Sequence, residues 1–260
     1  MKNKLFVLIT LASFQYANGQ MSWKNWDGVQ LELGLSRKAE LRLSHLRAFD
    51  LSGSMQPDFN QTSIQLSYEL LKKLEISGGY TFAGNNSLTD GASRVFAKVS
   101  LKKRLLQQFN WTNALQGEVH SIQESRYKNR LIFTSRLATR KRISSLKLLP
   151  SVGYSLFYNI GGKPIQYYDK VSGMPTSINS PDGFHRGRLT ISVNTKLSNT
   201  LSVSVFYMAQ REFNLLSPVN REINVTNPLT GKTVRPFDDF NVIGMTFSVD
   251  SKLYKTSKKK

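Results

Sequence analysis

The chain has 260 residues, of which 40% are hydrophobic, 11% aromatic and 20% charged, with a mean hydropathy of -0.32; these values exclude a disordered, collagen-like or low-complexity protein. The 36 Lys and Arg against 17 Asp and Glu give a formal charge of +19, which points to an anionic partner: nucleic acid, a membrane surface or lipopolysaccharide. With no cysteine and three scattered histidines, disulfides, thiolate metal sites and a Cys nucleophile are excluded, and neither a metal nor a cofactor is expected.

At the N-terminus, Lys2 and Lys4 precede an apolar run from Leu5 to Ala12 that ends in polar residues and the small pair Ala17 and Gly19. This order is that of a secretory signal peptide over 1–19, cleaved after Gly19. The run makes about 12 Å of helix, less than half of a hydrocarbon layer of about 30 Å, so it is too short for an anchor. Removing Lys2 and Lys4 takes the formal charge from +19 to +17.

Beyond Gly19 no stretch approaches the roughly 20 apolar residues of a spanning helix, and period-two alternation recurs almost to the end. In chain order the apolar phase runs through Val29 to Leu35, Leu41 and Leu43, Thr62 to Leu70, Leu74 to Phe82, and Val95 to Leu101. It continues through Phe109 to Val119, Tyr127 to Leu137, Leu146 to Tyr158, Leu189 to Leu197, Leu201 to Tyr207, and Ile243 to Val249. These are eleven segments. Connections near Arg37, Lys72, Lys102 to Arg104, Arg140 to Ser144 and Ser198 are short, whereas 51–60, 83–92, 120–125, 160–183 and 214–238 are mostly longer and rich in Gly, Pro, Asn, Asp and Ser. Short turns at one rim and long loops at the other describe an outer-membrane barrel. The expected fold is therefore all-β: a single antiparallel transmembrane β-barrel over 20–249, after a cleaved signal peptide and before a basic tail over 250–260. Bacterial single-chain barrels have even strand numbers, so either Ser22 to Asp27 forms a further strand turning at Asp27-Gly28, or one segment is split; the expected count is ten to twelve. Trp26, Phe49, Phe82, Tyr158, Phe184 and Phe240 near strand ends fit an interfacial aromatic girdle.

The opposite phase is polar, with Glu32, Glu40, Arg42, Glu69, Glu75, Arg94, Lys98, Glu118, Lys128, Arg130, Arg136, Arg186, Arg188 and Glu212. In a barrel this face encloses a lumen. Glu69, Glu75, Arg94, Glu118, Arg130, Arg136, Arg186, Arg188 and Glu212 form the expected lumen charge network, read either as a plug of ion pairs or as an anion-favouring constriction. Arg37, Lys38, Lys72, Lys73, Lys102, Lys103, Arg104, Arg140, Lys141 and Arg142 put +10 of the +17 on the short turns, and the tail adds +4. A basic rim of this kind, with Lys72, Lys73, Lys102, Lys103, Arg104, Arg140, Lys141 and Arg142 at its centre, is suited to anionic headgroups, although charge kept for solubility in transit explains it too.

Arg126, Tyr127, Lys128 and Arg130 alternate basic and aromatic residues, but secretion removes the chain from cellular nucleic acid, which is not an expected partner. For an outer-membrane hydrolase or acyltransferase, Glu118, His120, Ser121 and Glu124 are the local candidate; Glu118 and His120 share a strand face while Ser121 points across it. A hydrogen-bonded strand-end histidine is the ordinary reading. No catalytic residue is assigned, and the chain reads as a structural or ligand-binding barrel, with a small anion-favouring pore as the alternative and a lipid-modifying enzyme behind both.

WDGVQLELGL from Trp26, SGGYTF, RYKNRL, RGRLTISV, FYMAQREFN and FDDFNVIGMTFSV occur in an order that resembles the bacterial outer-membrane barrel family catalogued as domain of unknown function 2490. The resemblance implies an outer-membrane barrel of a Gram-negative, Bacteroidota-like bacterium with no established activity. Its partners would be outer-membrane lipids and the barrel-assembly and periplasmic chaperone machinery; the small-molecule ligand of a ligand-binding barrel is left unspecified. The family usually ends on an aromatic strand terminus, and here Phe247 is the nearest candidate for that assembly signal.

Overall fold

The structure, a computed structural model, describes residues 22–84, 91–105, 107–124, 126–143, 145–169, 171–234 and 239–254. The signal-peptide segment 1–19, most of loop 83–92 and the tail beyond Tyr254 lie outside them. In chain order the strands are β1 (Ser22–Gly34), β2 (Ala39–Asp50), β3 (Gln56–Leu71), β4 (Leu74–Gly84), β5 (Gly91–Leu105), β6 (Phe109–His120), β7 (Asn129–Thr139) and β8 (Leu149–Ile160). There follow β9 (Ile165–Tyr168), β10 (Pro175–Asn179), β11 (Gly183–Lys196), β12 (Leu201–Leu215), β13 (Val225–Thr226), β14 (Thr233–Val234) and β15 (Phe240–Lys252).

Eleven of these strands form one closed barrel in the order β1-β15-β12-β11-β8-β7-β6-β5-β4-β3-β2, while β9 with β10 and β13 with β14 are small hairpins inside the two longest loops. Each barrel strand has 11 to 16 residues, and closure leaves no sheet edge with unpaired backbone groups. The extra strand expected over Ser22 to Asp27 does not exist. Asp27 and Gly28 continue β1 without a turn, because β15 offers an unbroken ladder on one side, from Ser22 opposite Phe240 to Gly34 opposite Lys252, and β2 pairs with the other side. The count is therefore odd, and the β1–β15 seam is the barrel's single parallel pairing. β15 also runs three residues past Val249, so the barrel claims the first residues assigned to the tail.

Side-chain burial is inverted relative to a water-soluble sheet protein. The apolar phase points outward, where Val29, Val95 and Val119 are 57%, 59% and 63% exposed, while inward-facing Ser67, Glu118, Arg130, Ser202 and Gln210 are buried. Several expected placements change. Trp26 and Phe240 are not in an outer girdle: β1 keeps its even-numbered residues inside from its first position, so Trp26 packs in the lumen against Phe59 and Phe240. Tyr127 precedes β7 and folds into the lumen instead of extending that strand's apolar face. Lys102 to Arg104 belong to β5, which outlasts the expected turn.

Two inward glycines admit large aromatic neighbours. A Cβ on Gly79 would lie 2.2 Å from the Ile64 carbonyl oxygen, and one on Gly244 would lie 2.3 Å from both the Trp26 carbonyl oxygen and the Phe206 ring. Gly244 sits on the parallel seam, opposite Trp26 and Phe206, where backbone cannot retreat without loosening closure. Gly244→Ala is expected to destabilise the barrel by about 1–3 kcal/mol through overpacking, read as a lower urea midpoint by circular dichroism; an unchanged midpoint would show that the seam yields easily.

Candidate functional site

β6 and β7 are consecutive strands that pair in register, which sets Glu118 directly opposite Arg130. Both side chains face inward. The Glu118 carboxylate is 1% exposed and receives Arg130 through Nε at 2.9 Å and Nη2 at 2.6 Å, a two-pronged charge-assisted contact. Gln116 Nε2 donates to Oε1 at 2.7 Å, His120 Nε2 lies 3.1 Å from Oε2, and the Arg94 guanidinium from β5 approaches to 3.4 Å. One carboxylate is thus shared by two guanidiniums that would otherwise be unpartnered charges in the lumen.

Loop 121–128 completes this cluster. Glu124 accepts the Arg126 side chain at 2.8 and 2.7 Å and its backbone N–H at 3.0 Å. Burial pushes the Glu124 carboxyl up, but the hydrogen bonds and charge of Arg126 outweigh it and hold the group below the usual carboxylate range. The clamp turns Tyr127 into the barrel, where its hydroxyl accepts from Arg130 Nη1 at 2.8 Å and its ring meets His120 edge-on at 4.8 Å.

Further round the wall, β8, β11 and β12 extend the layer. Arg186 stands in register with Glu212 and ion-pairs with it; Arg188 Nε donates to Gln210 Oε1 at 2.7 Å, and Gln210 Nε2 donates to Glu212 at 3.0 Å. Phe157, 4% exposed, lies among three guanidiniums, with Arg130, Arg186 and Arg188 at 5.2, 5.9 and 5.1 Å from its centroid. Arg188 also reaches the Trp26 ring, at 5.7 Å. These distances suit cation–π attraction, which lets arginines of like charge share a small volume.

Six of the nine expected network residues, Arg94, Glu118, Arg130, Arg186, Arg188 and Glu212, therefore meet in one layer toward the long-loop side. The other three do not join it. Arg136, six residues along from Arg130, donates to Ser151 Oγ at 3.1 and 2.9 Å. Glu75 pairs with Lys102 at 2.9 Å near the short-turn end, and Glu69 is exposed beside a bulge at the end of β3. A second cluster, Glu32 and Glu40 about Arg42 at 3.0 Å each, lines the same lower region.

His120, Tyr127, Phe157, Gln210 and Trp26 belong to the layer but not to the expected network. Their lumenal phase was legible in the alternation for Phe157 and Gln210; Tyr127 comes from a loop and had no such signal. Ser121 accepts the Ser93 backbone N–H at 3.0 Å, and His120 faces Glu118 and Tyr127. Among the described residues no cluster of metal-ligating side chains is found.

On the basic rim, Lys72, Lys73, Lys102, Lys103, Arg104, Arg140 and Lys141 are exposed, whereas Arg142 is drawn inward by the Lys147 carbonyl at 2.7 Å and the Asn194 side chain at 2.9 Å.

A closed eleven-stranded sheet, apolar outside and charge-paired inside, defines a β-barrel of the inside-out class. Comparison with known families makes the assignment specific: residues 23–217 match the family described as Protein of unknown function (DUF2490), and the chain belongs to that family. No curated protein and no solved structure gives a significant match.

Because Glu118 holds both Arg94 and Arg130, Glu118→Ala is expected to cost about 3–5 kcal/mol of stability, the range for stranding a buried charge. Chemical denaturation of the purified barrel tests this, and a loss below about 1 kcal/mol would mean that water already shares these charges.

Proposed function

We propose that the protein is an outer-membrane β-barrel whose lumen is accessible from the short-turn side and filled at the long-loop side, serving a structural or ligand-holding role and not free diffusion. The observation that carries this reading is a gradient along one strand. On the lumenal face of β7, Arg136 is exposed, yet Arg130 is only 6% exposed. Side chains fill barrels of about eight strands, and sixteen or more leave an open channel; here the layer of Glu118, Arg130, Tyr127, Phe157, Arg186 and Glu212 fills the loop end of a barrel between those sizes. The two longest loops lie over the same end, tied together by Arg221 to Asp182 at 3.0 Å and by Asn227 to the Tyr168 hydroxyl at 2.9 Å.

Membrane placement rests on the outward apolar phase, strands long enough to cross at about 9–11 residues each, and the signal-peptide pattern of 1–19. Among the described residues no helix is long and apolar enough to cross a membrane, so crossing falls to the strands. In this setting the short turns face the periplasm. Lys72, Lys73, Lys103, Arg104, Arg140 and Lys141 then stand at the level of anionic headgroups, each contributing about 1 kcal/mol. The barrel-assembly and periplasmic chaperone machinery are the partners required to reach that membrane. No catalytic role is proposed for His120, which orients Glu118.

In planar bilayers the intact protein is expected to be silent at high salt, and steady anion-selective steps would overturn the sealed reading in favour of a pore. Replacing Lys72, Lys73 and Lys103 by Gln is expected to abolish most of the extra thermal stability that nanodiscs of anionic lipid give over zwitterionic ones. An undiminished difference would remove the rim from headgroup contact.

A further inference from the structure

The outward face is mostly apolar, with isolated polar positions such as Asn113, Ser135, Arg211 and Asn241, and it carries one larger polar sector. On the loop-side half of β1, β2 and β3 the outward positions are Asn25, Asp27, His45, Arg47, Asn60 and Thr62. His45 Nδ1 and Thr62 Oγ1 satisfy each other at 2.9 Å. Asp27 and Arg47 are both exposed and stand directly opposite each other across the β1–β2 ladder. Asp27 receives a side-chain contact from Asn25 at 3.4 Å, and the Arg47 guanidinium lies 5.2 Å from the Phe49 ring.

Their height on the wall makes this sector unusual. Trp23 on β1 and Phe49 on β2 lie closer to the loop rim than Asp27 and Arg47, whereas Val29, Leu31, Leu43 and Ile64 lie closer to the turn rim. Trp23 is 42% exposed and packs near Tyr207, as an interfacial aromatic does. The charged pair thus sits on the membrane side of its local aromatics, where outward charges destabilise a barrel in a depth-dependent way. Across the seam a comparable outward polar residue is dealt with internally: Asn241 is 3% exposed and accepts from Tyr207 at 3.0 Å and Arg211 at 3.2 Å.

We propose that the outer face of β1–β3 is the contact surface of a homodimer, in which Asp27 of each protomer meets the partner's Arg47 about a two-fold axis along the membrane normal. Two barrels inserted in the same orientation can be related by a closed two-fold only about that direction, and such an interface must be self-complementary. An acid and a base side by side on adjacent strands meet this requirement, because rotation exchanges their positions and forms two ion pairs. A single anionic headgroup matches the sector less well, since Arg47 would attract it and Asp27 would repel it. The inference rests on the membrane reading, but not on whether the lumen conducts.

The test uses the full chain in detergent micelles, with mass measured by light scattering and heat-modifiable gel mobility reporting barrel folding. The wild type is expected to be two chains per particle. Asp27→Arg should dissociate it, with at least a tenfold weaker association, and Asp27→Arg combined with Arg47→Asp should restore pairing by exchanging the charges. Arg47→Gln serves in place of Asp27→Arg if that variant does not fold, with Asp27→Asn combined with it showing no recovery. Single wild-type chains at every protein concentration, a dimer indifferent to Asp27→Arg, or a failed rescue would each overturn the proposal. Single chains carrying lipid phosphate that is lost on Arg47→Gln would assign the sector to headgroups instead. A wild-type particle that stays monodisperse without detergent would defeat the membrane reading itself, which separates the two failures.

Discussion

Closure of the sheet is the constraint on which the rest depends. Once β1 bonds to β15, no backbone edge remains, and each strand residue has only two destinations for its side chain, lumen or exterior. That binary choice is why Glu118, Arg130, Arg186 and Glu212 are forced together. It is also why Val29, Val95 and Val119 cannot find a core and remain exposed. The parallel seam gives closure an odd count. It is formed residue for residue from Ser22 to Gly34, although parallel pairing is slightly less stable per residue than antiparallel pairing.

Inside the barrel, charge is handled by sharing. Glu118 serves two arginines and a histidine, Glu212 serves Arg186 and Gln210, and Phe157 presents its ring to three guanidiniums. Such a layer is costly to assemble and costlier to break, because any one carboxylate removed strands several cations at low dielectric. Toward the turns the same wall changes character: Arg136 meets the Ser151 hydroxyl, and serines such as Ser67, Ser77, Ser100 and Ser202 alternate with the separate ion pairs of Arg42 with Glu32 and Glu40 and of Lys102 with Glu75. This contrast along the axis, and not the identity of any single residue, supports a barrel filled at one end.

The alternation made much of this visible beforehand. Cross-strand partners such as Glu118 with Arg130 and Arg186 with Glu212 were all on the inward phase, and six of the expected network residues do meet. Glu69 and Glu75 shared that phase but sit near the strand ends, where periodicity says nothing about height. Trp26 and Phe240 misled for a related reason: their closeness to strand termini suggested an outer girdle, while parity sends them inward. Tyr127, which the alternation puts on the apolar phase of the next strand, is instead a loop residue without a phase until Arg126 and Glu124 lock its backbone.

The sequence by itself determined the inward and outward phase within most strands, the order of short and long connections, and the concentration of positive charge on one rim. All of these follow from local periodicity and composition. Only the tertiary structure decided the strand count, the parallel seam, the depth of each charge and the proximity of Asp27 to Arg47. Those properties depend on which strands become neighbours and in what register, and the pairing of Trp26 with Gly244, more than two hundred positions away, leaves no trace in local pattern.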